Sequence, residues 1–383
     1  MLNEYAVKIR RELHEYPEIG FDLPRTLALL RRELDAMGVE YTEQYGKSSI
    51  VATINPQKDA FTIGIRADMD ALPITELTDV PFKSKIDGQM HACGHDAHTA
   101  ILLATLKELN EERDNIACRV KFLFQPAEEY TTSGAKLMAE DGVMDDIDTV
   151  IALHVDVGNP AGQISLAPDM QGAISDGFKI VFHGRNAHVA NQESGTDAIM
   201  MAVRAYTSLE FMIAKEFPGK EPVLFNVGRI EGGMTNNVIA DSCMMFCTLR
   251  TWTEKVAEKA MKRIHTIIEA EAAACGGTVE FIPCKHYPNV YNDPKITELV
   301  RIAGEKVLGA ENVFGRGRGM GGEDFAFFAQ KKPGCMFRLG VKNVEQECVY
   351  AVHNARFKLD EEALDVGVKV FKQFVYDNMN GIK

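Results

Sequence analysis

Apolar and polar positions change rhythm along this chain. Residues 3–16 and 25–38 carry apolar side chains at helical spacing, and Ile50–Ile54 and Phe61–Ile65 are short strand-like runs. The pattern predicts a helix over 96–110, a strand over Val120–Phe124, a short helix over 134–141 and a buried strand over Thr149–Leu153. Such alternation predicts an α/β layered sheet. From about residue 176 the order becomes a strand (Asp176–Phe182), a long amphipathic helix (196–216), strands Val223–Ile230 and Val238–Thr251, a second long helix (253–274) and a strand Thr278–Pro283. That is the β-α-β-β-α-β, ferredoxin-like order. Beyond Tyr291 the α/β pattern resumes, with helices near 294–307 and 361–378 and a strand Met336–Leu339. The expected fold class is α/β: a discontinuous α/β domain, residues 1–174 and 289–383, interrupted by an inserted ferredoxin-like domain, residues 175–288. Hinges are expected near Gly172 and Pro288.

Length and composition agree with two domains, since 383 residues exceed what one hydrophobic core usually supports. A net charge of −13 argues against a nucleic-acid or anionic-membrane partner, both of which need a basic face. It leaves room for an anionic small substrate, because a bound metal can reverse the local field. Residues 1–16 are charged at Glu4, Lys8, Arg10, Arg11 and Glu12 and lack the apolar core of a signal peptide. No later stretch is apolar enough to span a membrane. The eight cysteines have no paired spacing, so reduced thiols and a cytoplasmic location are expected.

The chemistry concentrates in Met90-His91-Ala92-Cys93-Gly94-His95-Asp96-Ala97-His98 and, further on, Gln125-Pro126-Ala127-Glu128-Glu129. A hydrolytic metal site needs ligands to hold the ion and a non-ligating base to activate water, and these segments offer both. Asp96 is the expected N-cap of the following helix, which sets Cys93 and His95 at its positive end and favours a thiolate. A buried cysteine beside capping histidines would explain any one of these residues, but not the whole run together with Glu128-Glu129. After Pro126 adjacent glutamates diverge, so one carboxylate can face a metal and the other a substrate. Asp68 and Asp70, two apart on an extended segment, share a face and can orient metal-bound histidines; a solvated turn is the plainer reading. His154, His353 and His188, each taken alone, read as ordinary histidines, and His183, His265 and His286 as structural or surface residues. The glycine pattern Gly317–Gly322 lacks the upstream strand of a dinucleotide site and is expected to be a loop.

Taken together these motifs resemble the M20 metallopeptidase superfamily, in particular its aminoacylase-like amidohydrolases. The resemblance runs from Arg11-Glu12-Leu13-His14 and Pro17-Glu18 through Arg66–Pro73, the histidine-rich segment, Gln125–Glu129, Ala152-Leu153-His154 and Glu323-Asp324-Phe325 to His353. It implies two divalent metal ions held by Cys93, His95, Glu129, His154 and His353. Glu128 is implied as general base and Asp68 as a catalytic acid behind the ligands. The resemblance also implies a homodimer formed through the inserted lid, which in some members lends a histidine and an asparagine to the neighbouring site; by motif these are His188 and Asn237. The chain departs from the family pattern at Gln192, at Ala240 and at Tyr130-Thr131-Thr132, all in or near expected substrate contacts.

The expected reaction is hydrolysis of an N-acyl amino acid, with Glu128 taking a proton from water and passing it to the leaving nitrogen, and His188 stabilising the oxyanion. The alternatives are a metal-dependent dipeptidase or aminopeptidase, a Cys93-nucleophile amidase that needs no metal, and a non-enzymatic metal- or peptide-binding protein. Zinc, manganese, cobalt and nickel all accept this mixed ligand set.

Overall fold

The computed structural model describes residues 2–57, 60–217 and 219–382. Its first part contains α1 (Glu4–Glu15), α2 (Pro24–Met37), β1 (Glu40–Thr42), β2 (Ile50–Ile54) and β3 (Thr62–Asp68). These are followed by α3 (His95–Glu111), β4 (Arg119–Gln125), α4 (Gly134–Glu140), β5 (Thr149–Pro160), β6 (Ile164–Leu166) and β7 (Asp169–Met170). The middle part comprises β8 (Ile174–His183), α5 (Ala198–Glu216), β9 (Leu224–Gly232), β10 (Ser242–Thr251), α6 (Glu254–Ala274) and β11 (Thr278–Tyr287). The chain closes with β12 (Tyr291–Asn292), α7 (Pro294–Leu308), β13 (Val313–Gly315), α8 (Ala326–Ala329), β14 (Gly334–Lys342) and α9 (Glu362–Asn378).

Two compact units result: Met1–Gln171 with Tyr291–Gly317 and Asp324–Lys383, and Gly172–Val290 with Arg318–Glu323. The second unit is an antiparallel sheet in the order β11-β8-β10-β9, with α5 and α6 packed against it. It has its own core, which includes Phe178, Ile180, Met245, Leu209 and Ile264. Residues 318–323 join it because Ala173 N–H donates to the Gly321 carbonyl at 3.0 Å. The expected strand over Val238–Thr251 begins only at Ser242; the residues before it run beside the His188 segment instead.

In the first unit the sheet order is β1-β2-β4-β3-β5-β14-β6-β13. Strands β4, β3, β5 and β14 are mutually parallel, so the carboxyl ends of β3 and β4 open on the same side. Helix α3 is buried continuously from His95 through Leu106 and packs against α1, α9 and β3. Its low amphipathicity fits an element covered on every side. One expectation fails at β13: a short strand does precede the Gly317–Gly322 run, held extended by parallel pairing with β6. No helix opens on those glycines, which continue as loop toward α8, so a phosphate-binding turn is not formed.

The centre of this sheet carries a charged network. Arg66 on β3 is fully buried and reaches Asp68 at 2.8 Å and Asp324 at 2.9 Å, while its Nε donates to Gln125 at 2.7 Å. Asp324 also accepts from Gln125, Ser133 and the Ala135 amide. Removing one partner of such a network strands the other charges in a low dielectric. Arg66→Met is expected to lower unfolding stability by about 3–5 kcal/mol. The check is the urea midpoint at unchanged m-value, and a variant as stable as the parent would contradict the assignment.

Candidate metal centre

Backbone geometry delivers the donors. Gly94, not Asp96, is the N-cap of α3, and it adopts φ +84, a left-handed conformation that glycine takes without penalty. A Cβ there would stand 2.5 Å from the Val155 side chain. The absence of a side chain therefore lets β5 approach the 91–98 turn and brings His154 to Cys93, Nε2 to Sγ 3.4 Å. His154 does not close its strand as expected; β5 continues to Pro160. Ala127 and His353 are non-glycine residues at positive φ, +54 and +67. Such backbone persists where its surroundings over-determine it, typically at functional sites.

Ligand-capable atoms gather in overlapping groups. Cys93, His95 and His154 lie within 4.8 Å of one another, as do Cys93, Glu129 and His353, and as do His95, Glu128 and Glu129. Cys93 belongs to the first two groups, the layout of a paired site around one thiolate. His353 Nε2 stands 2.8 Å from Glu129 Oε1. His154 Nδ1 donates to the Val155 carbonyl at 2.7 Å, leaving a bare Nε2 lone pair directed at Cys93. The ring nitrogens of His95 are buried without a hydrogen bond of good geometry, their nearest carboxylate oxygens being Asp70 at 3.4 Å and Asp68 at 3.7 Å. Buried, unsatisfied donors of this kind fit a divalent ion better than they fit one another.

His98 lies close by but has no lone pair to offer. Its Nε2 accepts the Val155 N–H at 3.0 Å, so Nδ1 carries the hydrogen that it donates to Asp68 at 2.6 Å. Asp68 in turn spends its second oxygen on Arg66. Asp70 accepts the backbone N–H groups of Glu128 and Glu129 at 2.9 and 3.0 Å, fixing the turn that aims both carboxylates. The two aspartates thus divide the supporting work: Asp68 braces His98, and Asp70 braces the glutamates.

The local electrostatics run against free charges. Burial pushes the Cys93 thiol well above its usual value, against the pull of His95. Burial, helped by Arg338 and His98, holds His154 well below the ordinary imidazole range. For His95 burial works the other way, but the carboxylate charge of Asp68 outweighs it and raises the ring well above its usual value. Glu129 and Asp68 are both lowered: burial is outweighed by His353 and His95 at the first, and by Arg66, His95 and His98 at the second.

The structure brings Cys93, His95, Glu128, Glu129, His154, His353 and Asp68 together in one unit. His188 and Asn237 lie in the other unit, side by side: Val189 N–H donates to the Asn237 carbonyl at 3.0 Å and Ile239 N–H to the Ala187 carbonyl at 2.8 Å. Both residues are exposed. His188 Nδ1 accepts the Ala190 N–H at 3.1 Å, which leaves Nε2 as the hydrogen-bearing atom. Asp96 corrects the expected cap: its carboxylate turns inward to Arg10 at 3.1 Å and His14 at 2.7 Å. Sequence reasoning missed that cluster, the bracing role of His98 and the pairing of Arg66 with Asp324. No local spacing signals contacts between residues so far apart in the chain.

A polar site at the carboxyl ends of parallel strands, with clustered metal donors and a buried carboxylate beside them, defines a metal-dependent hydrolase. The chain belongs to peptidase family M20/M25/M40, whose model matches residues 64–377. It is 34% identical over 372 residues to thermostable carboxypeptidase 1 of Saccharolobus solfataricus, covering 96% of this chain and 93% of the relative. It is 33% identical over 378 residues to N-acetylcysteine deacetylase of Bacillus subtilis, covering 98% and 97%. Among solved structures, a dinuclear metal binding peptidase of the M20 family from Bacillus subtilis superposes with a TM-score of 0.79 at 31% identity, over 97% of this chain and 96% of the other. The donor set and this likeness agree on two divalent ions.

If Cys93 and His95 hold an ion, its uptake displaces the protons that the raised thiol and the raised imidazole favour keeping. Affinity is therefore expected to rise with pH and to fall on acidification through the neutral range. Chelator competition at several pH values checks this, and a pH-independent affinity would contradict it.

Proposed function

We propose that this enzyme hydrolyses the amide bond of N-acyl amino acids, releasing a carboxylic acid and a free amino acid. The observation that carries the reading is Glu128, buried beside the His95 and Glu129 donors at the end of β4. The family relatives support the substrate class. An N-acetylcysteine deacetylase and a carboxypeptidase both cut an amide whose nitrogen belongs to an amino acid with a free carboxylate.

In this reading Cys93, His95, Glu129, His154 and His353 hold two divalent ions, with zinc, manganese, cobalt or nickel all compatible. Bound there, the ions supply Lewis acidity that eases deprotonation of water and polarises the carbonyl. Glu128 removes the water proton and delivers it to the departing nitrogen, base and then acid. Asp68, fixed by Arg66 and His98, keeps negative charge behind His95. His188, with Nε2–H outward, donates to the carbonyl oxygen as charge develops, and Asn237 beside it contacts the substrate.

The lid supports a homodimer. Strand β9 has a single sheet neighbour, leaving an open edge. Nearby α5 exposes Ile199, Met200, Val203 and Tyr206 at helical spacing, and Ile230 and Met234 are also uncovered. Apolar surface of that extent on one unit suits a second copy of the chain. Eight cysteines without paired spacing support residence in a reducing, cytoplasmic compartment.

Two other readings are weaker. A Cys93 nucleophile requires a thiolate, whereas burial raises the thiol well above its usual value even against the pull of His95. A dipeptidase or aminopeptidase would prefer a free amine. A panel of N-acetyl, N-benzoyl and indole-acetyl amino acids against free-amine dipeptides, run with each metal, separates the two, and preference for the dipeptides would overturn the proposal.

Glu128→Gln is expected to lose roughly 10²–10⁴-fold in turnover with metal content near the parent. Glu129→Gln is expected to lose metal, and the reverse pattern would exchange their roles. If His188 serves the partner's site, inactive His188→Ala and Glu128→Gln chains should regain activity on subunit exchange. Demonstrated exchange without recovery would confine His188 to its own chain or to a structural role.

A further inference from the structure

A second buried polar cluster adjoins the metal donors, and no step of the proposed chemistry uses it. His14, on α1 and 2% exposed, is at its centre. Its Nδ1 lies 2.7 Å from Asp96 Oδ2, and its Nε2 lies 3.2 Å from Glu76 Oε1. A carboxylate only accepts, so holding both contacts requires a hydrogen on each ring nitrogen. Burial opposes that charge, but Asp96 and Glu76 outweigh it and raise the His14 pKa. Arg10 faces the same group from α1, reaching Asp96 at 3.1 Å and Glu361 at 2.9 Å. The His91 ring stands 6.3 Å away, kept neutral by burial with its pKa lowered to about 3, and Phe82 closes the cluster edge-on at 5.6 Å.

The two carboxylates lead to different parts of the metal centre. Asp96 directly follows His95 in the first turn of α3 and lies three residues after Cys93. Glu76 lies on the loop between β3 and α3, which it folds by accepting the Ser84 N–H at 2.7 Å. The next residue, Leu77, donates its N–H to the Ala355 carbonyl at 2.8 Å, two residues beyond His353. His353 N–H itself donates to the Ala92 carbonyl at 2.8 Å, one residue before Cys93. The His353 turn is thus gripped at two points, and its positive φ needs such a grip. One point belongs to the segment that carries Asp96, the other to the loop that carries Glu76. His14 is the side chain that joins them.

We propose that His14 is a positioning residue for the metal centre, tying the Cys93–His95 turn to the loop that clamps the His353 turn, so that ion affinity depends on it. The inference rests on the five-ligand reading above. Loss of groups that orient metal ligands costs 10–100-fold in metal affinity, and His14 acts one contact further out, so about tenfold is expected.

The test uses metal-free parent, His14→Gln, Glu76→Ala, Glu76→Gln and the His14→Gln/Glu76→Ala double variant. Each is titrated with Zn2+ or Mn2+ against a chromophoric chelator, with far-UV circular dichroism and thermal midpoint recorded. His14→Gln and Glu76→Ala should bind ions about tenfold more weakly with unchanged dichroism. Glu76→Gln, which keeps an acceptor for His14, should recover to within about threefold of the parent. The double variant should be no weaker than the weaker single, because both act through one contact. Folded variants binding within about twofold of the parent, whatever their thermal midpoint, would reduce His14 to a packing role, as would losses that multiply in the double variant. If His14→Gln is not recovered folded, the Glu76→Ala and Glu76→Gln comparison decides, since Glu76 lies on a loop outside the regular elements. A parent that takes up no ions would overturn the ligand reading as well, an outcome distinct from equal binding by parent and variants.

Discussion

The buried guanidinium of Arg66 is the interaction on which the site depends. It sits among the parallel central strands of a mixed sheet and joins Asp68, at the end of its own strand, to Asp324, far along the chain. A lone carboxylate at either place would be driven to protonate or to reach water. With Arg66 between them Asp68 stays charged in the interior, and its negative potential is available to His98 and His95. The same network draws in Gln125, so the end of β4, from which the two glutamates project, is tied to the end of β3.

From that anchor the supporting contacts spread by hydrogen-bond logic. Two imidazoles near the centre have their tautomers dictated by one backbone residue: Val155 N–H makes His98 an acceptor at Nε2, and the Val155 carbonyl makes His154 a donor at Nδ1. One residue of β5 therefore decides that His154 offers a lone pair while His98 offers none. Choice between ligand and brace rests on which backbone group lies beside the ring, and the His-x-x-His spacing of α3 is silent about it.

Metal donors and their braces lie in one unit on rigid strand ends and a buried helix, where small displacements are resisted by packing. His188 and Asn237 lie in the other, exposed on a segment pair braced by backbone hydrogen bonds. Gln192 and Ala240, where the chain departs from the family pattern, lie in that second unit and not among the metal-capable donors.

Much of this was legible in the chain itself. Helical and strand periodicity located the alternating α/β elements and the β-α-β-β-α-β insertion, because burial on one face imposes a period whatever the partner is. The donor-rich segment and the paired glutamates were legible because metal hydrolysis needs those residue types close together, and the likeness to the M20 superfamily singled out five residues that the fold gathers into metal-capable groups. Local reading failed where a residue's role is set by something distant. Asp96 looked like a helix cap, but Gly94 holds that position because Val155 crowds it, and Asp96 is drawn inward by Arg10 and His14. The strand at His154 looked finished, yet pairing with β14 carries it on to Pro160. The sequence alone determined which elements form and which side chains carry chemistry, since both depend on residue type and short spacing. Only the tertiary structure decided which of His98 and His154 keeps a free lone pair, which backbone groups Asp70 holds, and that His14 stands between Asp96 and Glu76. Those depend on hydrogen-bond partners that folding brings together from positions far apart in the chain.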